Sequence, residues 1–215
     1  QQLDKIATVA TTPVLEFKNI HANKDNGLTA VNGVNLNVHR GEIVGIAGVS
    51  GNGQRELVEV LAGQRPATAG QILVNGETYT ATRAQMSRHR VFALPEEPLR
   101  NACVPHMSGA EYLALRTFDR PPLASFGWLL ILKAIREAAK GLVGTFSIKT
   151  PSVDAPVGTL SGGNVQRTVL ARELSSDRIN LLIAANPCFG LDFAAVEYIH
   201  TQIVAARNRG VEVLL

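Results

Sequence analysis

Cysteine is scarce: Cys103 and Cys188 are the only two among 215 residues, and neither has a second thiol near it in sequence. That spacing offers no disulfide framework and no paired-cysteine metal site, and it fits reducing cytosol best. Long apolar runs are missing as well. The longest candidate, Phe126 to Ile135, is interrupted by Gly127 and Lys133 and falls short of the ~20 residues a membrane helix requires, so the chain is expected to be soluble by itself. The net charge of +3 comes from scattered Lys and Arg with no dense basic block, which argues against a nucleic-acid partner. His21, His39, His89, His106 and His200 show no metal-ligand spacing, so they are expected to be structural or surface residues and no metal site is expected. The local cluster Arg83, Arg88, His89 and Arg90 is expected on a solvated helix face. The first dozen residues, Gln1 to Thr12, have neither the basic start nor the apolar core of a signal peptide and are expected to be a linker from an upstream domain. Gly210 to Leu215 has the look of a buried strand with no turn after it, so a fragment of a longer polypeptide is expected.

Apolar side chains make up 46% of the sequence, enough for one well-buried domain over residues 13–215. Period-two alternation and short apolar runs predict strands at Val14–Ile20, Val34–Val38, Glu42–Ala47, Gln71–Val74, Val91–Leu94, Leu181–Ala185 and Val211–Leu215. Several are nearly continuous in apolar character, as parallel strands covered on both faces are. Apolar residues three and four apart predict helices at Gln54–Ala62, Gly109–Arg116, Trp128–Phe146, Gly163–Leu174 and Ala194–Arg209. Strand and helix alternate at the two ends while the middle is mostly helical. The expected architecture is therefore an α/β core interrupted by a helical subdomain from about Pro98 to Leu174. Tyr112, Leu113 and Leu115 are expected in the core of that subdomain.

The predicted strand Glu42–Ala47 runs into Gly48-Val49-Ser50-Gly51-Asn52-Gly53-Gln54-Arg55 and then into a helical pattern. This is the strand, glycine-rich loop and helix context that a phosphate loop requires. Glycines let successive N–H groups surround an anion, and the helix N-terminus adds its partial positive charge. The full pattern also demands Lys and then Ser or Thr, and this chain has Gln54 and Arg55 there. Gln54 supplies no ammonium for the outer phosphates, and Arg55 supplies no hydroxyl for Mg²⁺. A glycine turn without a ligand is the bland alternative for this segment taken alone. A dinucleotide fingerprint fits worse, since Glu56 stands where its third glycine belongs.

A second loop, Leu160-Ser161-Gly162-Gly163-Asn164-Val165-Gln166-Arg167, precedes another helical run, and it is similar to the signature loop of ABC ATPases residue for residue. Ser161 offers a hydroxyl, and Gly162, Gly163 and the helix N-terminus present N–H groups suited to a phosphate. A plain helix start with Ser161 at the N-cap is the alternative. The apolar strand Leu181–Ala185 then leads to Asn186-Pro187 and to Cys188-Phe189-Gly190-Leu191-Asp192. Where ABC ATPases carry Asp-Glu-Pro, this chain has Ala185 and Asn186 in place of the acids. Asn186 can hydrogen-bond a water, but it is a far poorer proton acceptor than glutamate. Asp192 matches the aspartate of the loop that follows, and it also suits an N-cap for the next helix.

Together these three segments resemble an ABC ATP-binding domain over nearly all of the chain from Val14 onward. Gly45 to Gln54 with Leu160 to Asn164 resembles the second, C-terminal nucleotide-binding domain of the fused ATPases that energise bacterial import of simple sugars and nucleosides. Asn186-Pro187, Gly190-Leu191-Asp192 and Val196-Glu197-Tyr198-Ile199-His200 look most like the nucleoside branch. The resemblance implies a P-loop NTPase-like core with ATP and Mg²⁺ at the shared site of an assembled pair, and weak or no binding at this domain's own site. It implies that Ser161, Gly162 and Gly163 complete a partner's site in trans. It places Glu96 at the glutamine position that transmits movement to transmembrane permease subunits. It further implies an upstream partner domain in the same polypeptide and a peripheral position on the inner face of the plasma membrane. A stacking aromatic for adenine is expected around Asn23 to Leu28, and none is there. Two alternatives stand beside this reading: an independent soluble ABC-type ATPase, and a structural or regulatory module that does not hydrolyse nucleotide.

Overall fold

The computed structural model describes residues 12–49, 51–175 and 179–215. In chain order these form β1 (Pro13–Asn23), β2 (Thr29–His39), β3 (Ile43–Val44), α1 (Gln54–Leu61), β4 (Ala69–Val74), β5 (Glu77–Thr78), α2 (Arg83–His89) and β6 (Val91–Leu94). There follow α3 (Pro98–Asn101), α4 (Gly109–Ala114), β7 (Ala124–Ser125), β8 (Leu129–Leu130), α5 (Leu132–Thr145), α6 (Gly162–Leu174), β9 (Leu181–Ala184), α7 (Phe193–Asn208) and β10 (Glu212–Leu214). The described chain divides into two units, one holding the residues up to Ala93, the stretch ending at Asn186 and His200–Leu215, the other holding the rest. Of the expected linker, Gln1 to Thr12, residues 1–11 lie outside the described residues, as does Ser50.

In the first unit, alternation in β1 buries Leu15, Phe17, Ile20 and Ala22. The phase shifts between Phe17 and Ile20, where the register with β2 slips and Asn19 takes a φ of 53°. This is a bulge, and asparagine tolerates the left-handed turn it requires. β1 pairs antiparallel with β2 and β4 in a sheet ordered β2-β1-β4-β5. The second sheet is ordered β3-β10-β9-β6, with β10 parallel to both β3 and β9. All four residues of β9 are buried, which is what its unbroken apolar run requires of a strand covered on both faces. Leu57, Val60 and Leu61 of α1 join Leu15, Phe17, Ile72, Leu181, Ile183 and Leu214 in one core cluster. Each such side chain contributes about 1.5–3 kcal/mol by leaving water.

The second unit holds α3, α4, α5 and α6, with α4 packed on α5 and on α6. Ser108 caps α4 through a capping box with Glu111, two orphan N–H groups satisfied reciprocally. Tyr112 and Leu113 are buried, as expected, and Leu115 is half-buried. Glu173 on α6 is fully buried, and its carboxylate is met by Arg116 at 3.2 and 2.7 Å and by Arg172 at 2.7 Å. A charge this deep persists only because two guanidinium groups satisfy it.

Several elements depart from the sequence reading; β2 begins at Thr29 and not at Val34. The helix expected from Trp128 begins at Leu132, because positive φ at Phe126 and Gly127 folds Ala124–Ser125 back onto Leu129–Leu130 as a short hairpin. A short apolar run supports either structure, and the turn decides. The strand expected over Glu42–Ala47 is regular only at Ile43–Val44. Its ladder to β10 ends with the Ile46 N–H donating to the Leu215 carbonyl at 2.7 Å. Arg83–His89 is a helix, as the basic cluster implied, but His89 is buried on it rather than solvated.

Candidate functional site

The glycine-rich loop of the first unit is shaped by its backbone. Gly51 and Gly53 have φ of 89° and 102°, and Gly53 is the N-cap residue of α1. A Cβ on Gly53 would sit 2.3 Å from the Ala30 carbonyl oxygen of β2, so glycine is required there for both conformation and space. The Gln54 side chain folds back over the loop, its Nε2 donating to the Val49 carbonyl at 3.4 Å. A Cβ on Gly48 would lie 2.0 Å from that amide nitrogen. A neutral amide thus occupies the loop where the expected pattern has an ammonium. Arg55 is held by Glu59, with Nε at 2.7 Å from Oε1.

The turn between β1 and β2 adds groups that sequence reading passed over while looking for an aromatic. Lys24 donates from Nζ to the Gly51 carbonyl at 2.9 Å. Asp25 accepts from Arg65 at 2.6 Å, and Arg65 also bonds Glu59 at 2.8 Å and the Asn23 carbonyl at 2.7 Å. Arg65 beside Asp25 holds that exposed carboxyl below the usual carboxylate range. The turn is closed on itself by Lys24 N–H donating to the Leu28 carbonyl at 2.7 Å. The signal in sequence was the alternation of charge across Lys24, Asp25, Glu59 and Arg65, but nothing local shows that these meet.

β9 ends at Ala184, followed by half-buried Ala185 and exposed Asn186. Asn186 has a φ of 40°, a conformation asparagine adopts more readily than most residues. Ala185 presents a methyl group and no metal donor.

In the second unit, α6 begins with Ser161 as its N-cap residue and an exposed Ser161-Gly162 step. The Ser161 hydroxyl accepts from the Asn164 amide at 2.8 Å and does not cap the helix. The Asn164 side-chain oxygen in turn accepts from the Lys149 N–H at 2.8 Å. A Cβ on Gly162 would meet nothing within 4 Å. The helix-initial N–H groups of Gly162 and Gly163 have no intrahelical acceptor, so this end is an anion-attracting terminus open on its outer side. Leu160 immediately precedes it in extended backbone.

Gln166, buried on α6, donates to the Pro187 carbonyl at 2.7 Å, tying that helix to the loop that carries Asp192. Asp192 accepts from the Ala195 N–H at 2.9 Å, so it caps α7 as the bland reading held. Phe189 and Phe193 beside it are 59% and 87% exposed, an apolar surface left without cover. Glu96 is half-buried just after β6. Among the described residues no group of three or more His, Cys, Asp or Glu is arranged to hold a metal, and no helix is long and apolar enough to cross a membrane.

A family model described as ABC transporter matches residues 31–188. The chain is 36% identical over 213 residues to the nucleoside import ATP-binding protein NupA of Lactococcus lactis, covering 99% of this chain and 42% of that protein. It is 38% identical to the glucose import ATP-binding protein TsgD13 of Haloferax volcanii, covering 99% and 39%, and 32% identical to the guanosine import ATP-binding protein NupO of Bacillus subtilis, covering 99% and 41%. The chain therefore spans about two-fifths of the length of these relatives. Among solved structures, a dimeric ATP-binding cassette in a post-hydrolysis state with ADP and Pi superposes with a TM-score of 0.75 at 20% identity, covering 93% of this chain and 85% of that one. The cbiO1 subunit from Clostridium perfringens gives 0.68 at 22%, covering 94% and 76%. Likeness at that identity carries the fold alone, which is the mixed α/β fold of ABC cassettes.

Proposed function

The chain belongs to the ABC transporter family of ATP-binding domains, and on that footing we propose that it is one nucleotide-binding domain of an importer of nucleosides or simple sugars. Its role is to supply a signature loop to a partner's ATP site while its own site is degenerate. The observation that carries this reading is the pairing of an intact, exposed Ser161-Gly162 helix terminus with a phosphate loop that lacks its lysine and hydroxyl and a strand that lacks its acids.

The fit to nucleotide differs between the two ends. Loop N–H groups and the α1 terminus suit an anion, so this domain's own loop fits phosphate. It does not fit Mg²⁺: Ala185 has no donor atom, Asn186 is neutral, and Arg55 is a cation tied to Glu59. No hydrolytic step is routed through it. At the other end, Ser161, Gly162 and Gly163 offer a hydroxyl and two N–H groups to a phosphate held by the partner, where they stabilise charge that grows in the transition state. The uncovered Phe189 and Phe193 support burial of that face against a second domain. We propose that the partner domain lies upstream in the same polypeptide; that this chain spans 42% of the nucleoside-import relative supports a longer protein. Permease subunits on the inner face of the plasma membrane complete the assembly, as the import relatives suggest.

The test is ATP turnover by the 215-residue chain, first checked for a cooperative melt. No Mg²⁺-dependent hydrolysis above background is expected. Clear turnover that disappears when Gly53 is made bulky overturns the degenerate assignment.

A further inference from the structure

We propose that Lys24, delivered from the turn between β1 and β2, is the cationic phosphate ligand of the glycine-rich loop, in place of the lysine that the sequence lacks at Gln54. The inference rests on the reading of Gly48 to Arg55 as a site for nucleotide phosphates, and it names the group that gives that site its charge.

Three observations lead to it. The position that should carry the ammonium carries Gln54, and its amide lies back over Gly48 and bonds the Val49 carbonyl. The other cations around the loop are already engaged with carboxylates. Arg55 is paired with Glu59 at 2.7 Å, and Arg65 is paired with Glu59 at 2.8 Å and Asp25 at 2.6 Å. Glu56, in the first turn of α1, adds a negative charge at the helix end where phosphate would lie. Lys24 differs from both arginines. Its Nζ donates to the Gly51 carbonyl at 2.9 Å, which sets the ammonium on the loop itself, and among the described residues it forms no ion pair. An ammonium has three N–H donors, so one bond to Gly51 leaves two for phosphate oxygens.

Its delivery is structural. Lys24 follows the last residue of β1, and the turn that holds it is closed by its own N–H to the Leu28 carbonyl and by Gly27 N–H to the Lys24 carbonyl at 2.9 Å. The next residue, Asp25, is fixed to Arg65, which also bonds the carbonyl of Asn23. The backbone on both sides of Lys24 is therefore anchored, which starts its side chain beside the loop it bonds. In this arrangement the turn in which an adenine-stacking aromatic is sought serves the phosphates instead. The ligand class is a nucleoside polyphosphate bound with its charge met by Lys24, loop N–H groups and the α1 terminus, without a metal ion.

The experiment is photolabelling of the complete polypeptide with 8-azido-ATP in EDTA, with labelled peptides mapped so that attachment to this domain is read separately from any other site. Lys24→Gln should raise the half-saturating concentration for label on this domain about 10-fold, equivalent to about 1.4 kcal/mol, and flatten its salt dependence. Lys24→Arg should retain most of the labelling. Adding Gln54→Lys to Lys24→Gln should restore it, which a merely structural role for Lys24 would not allow. Equal labelling of the parent and Lys24→Gln overturns the proposal while leaving the phosphate site standing. A larger loss with Arg55→Gln than with Lys24→Gln overturns it in favour of Arg55. If the parent labels elsewhere but never on this domain, the site reading and the proposal both fall.

Discussion

The loop before α1 and the loop before α6 both turn glycine-rich backbone into a helix terminus, yet they are constrained in opposite ways. At the first, Gly53 is locked by a positive φ and by the Ala30 carbonyl, and the side chains that follow are held down by Val49 and Glu59. At the second, Gly162 has an ordinary helical backbone and open space around its absent Cβ. The first loop is fixed in shape by packing and carries Gln54 and Arg55 after its glycines. The second presents a hydroxyl and two glycines and needs little from its neighbours to hold its shape.

The sharpest test of that contrast is electrostatic. In the full assembly, Gly162→Asp should lower ATPase activity and uptake by about 100-fold or more, comparable to losing a preorganised phosphate or oxyanion donor. Because an acidic residue favours a helix N-terminus and nothing obstructs its Cβ, the melting temperature should hold or rise slightly. Asn186→Ala should change the same rates less than about threefold. Equal defects at saturating ATP would mean that both sites work, and the asymmetric reading would have to go.

A second pair of substitutions tests shape instead of chemistry. Gly53→Ala should destabilise the fold by about 3 kcal/mol, from the strained φ and the encounter with Ala30, lowering the melting temperature by roughly 6–12 °C. Gly162→Ala should leave it unchanged within about 2 °C or improve it. Similar melting temperatures for the two variants would break the distinction.

The smallest expected effect concerns the strand beside the phosphate loop. Glu212 on β10 is buried with its Oε2 unbonded among the described residues. Burial raises its carboxyl to about 7, against smaller opposing effects of a backbone hydrogen bond and Arg40. The folded state then holds a proton that the unfolded state gives up near its ordinary value of 4.5, so stability falls as pH rises from about 4.5 to 7 and stays low above that. Glu212→Gln should gain about 2 kcal/mol at pH 8 and almost nothing at pH 4. A denaturation series across that range reads the difference, and a constant gain at every pH would show that ionisation is not its cause.

The elements with strong period were legible without coordinates. Leu57, Val60 and Leu61 mark the buried side of α1, and β9 is buried along its whole length, as its apolar run implied. The Ala124–Leu130 hairpin was not legible. Its exposed Phe126, Trp128, Leu129 and Leu130 mimic a helical apolar pattern, and only the positive φ of two turn residues separates the two outcomes. The bond from Gln166 to Pro187 was equally hidden, since it links residues 21 apart across a helix and a loop.

Residue identity alone determined the chemistry on offer: a hydroxyl and two glycines before α6, Gln54 and Arg55 after the first loop's glycines, and Ala185 and Asn186 after β9. Those are properties of side chains, carried wherever the chain goes. What only the tertiary structure decided is which groups replace the missing ones. Lys24 reaches Gly51 across 27 residues because β1 and β2 pair and their turn is pinned to Arg65. Such a meeting depends on strand register and long-range ion pairs, and neither is written in the sequence around either residue.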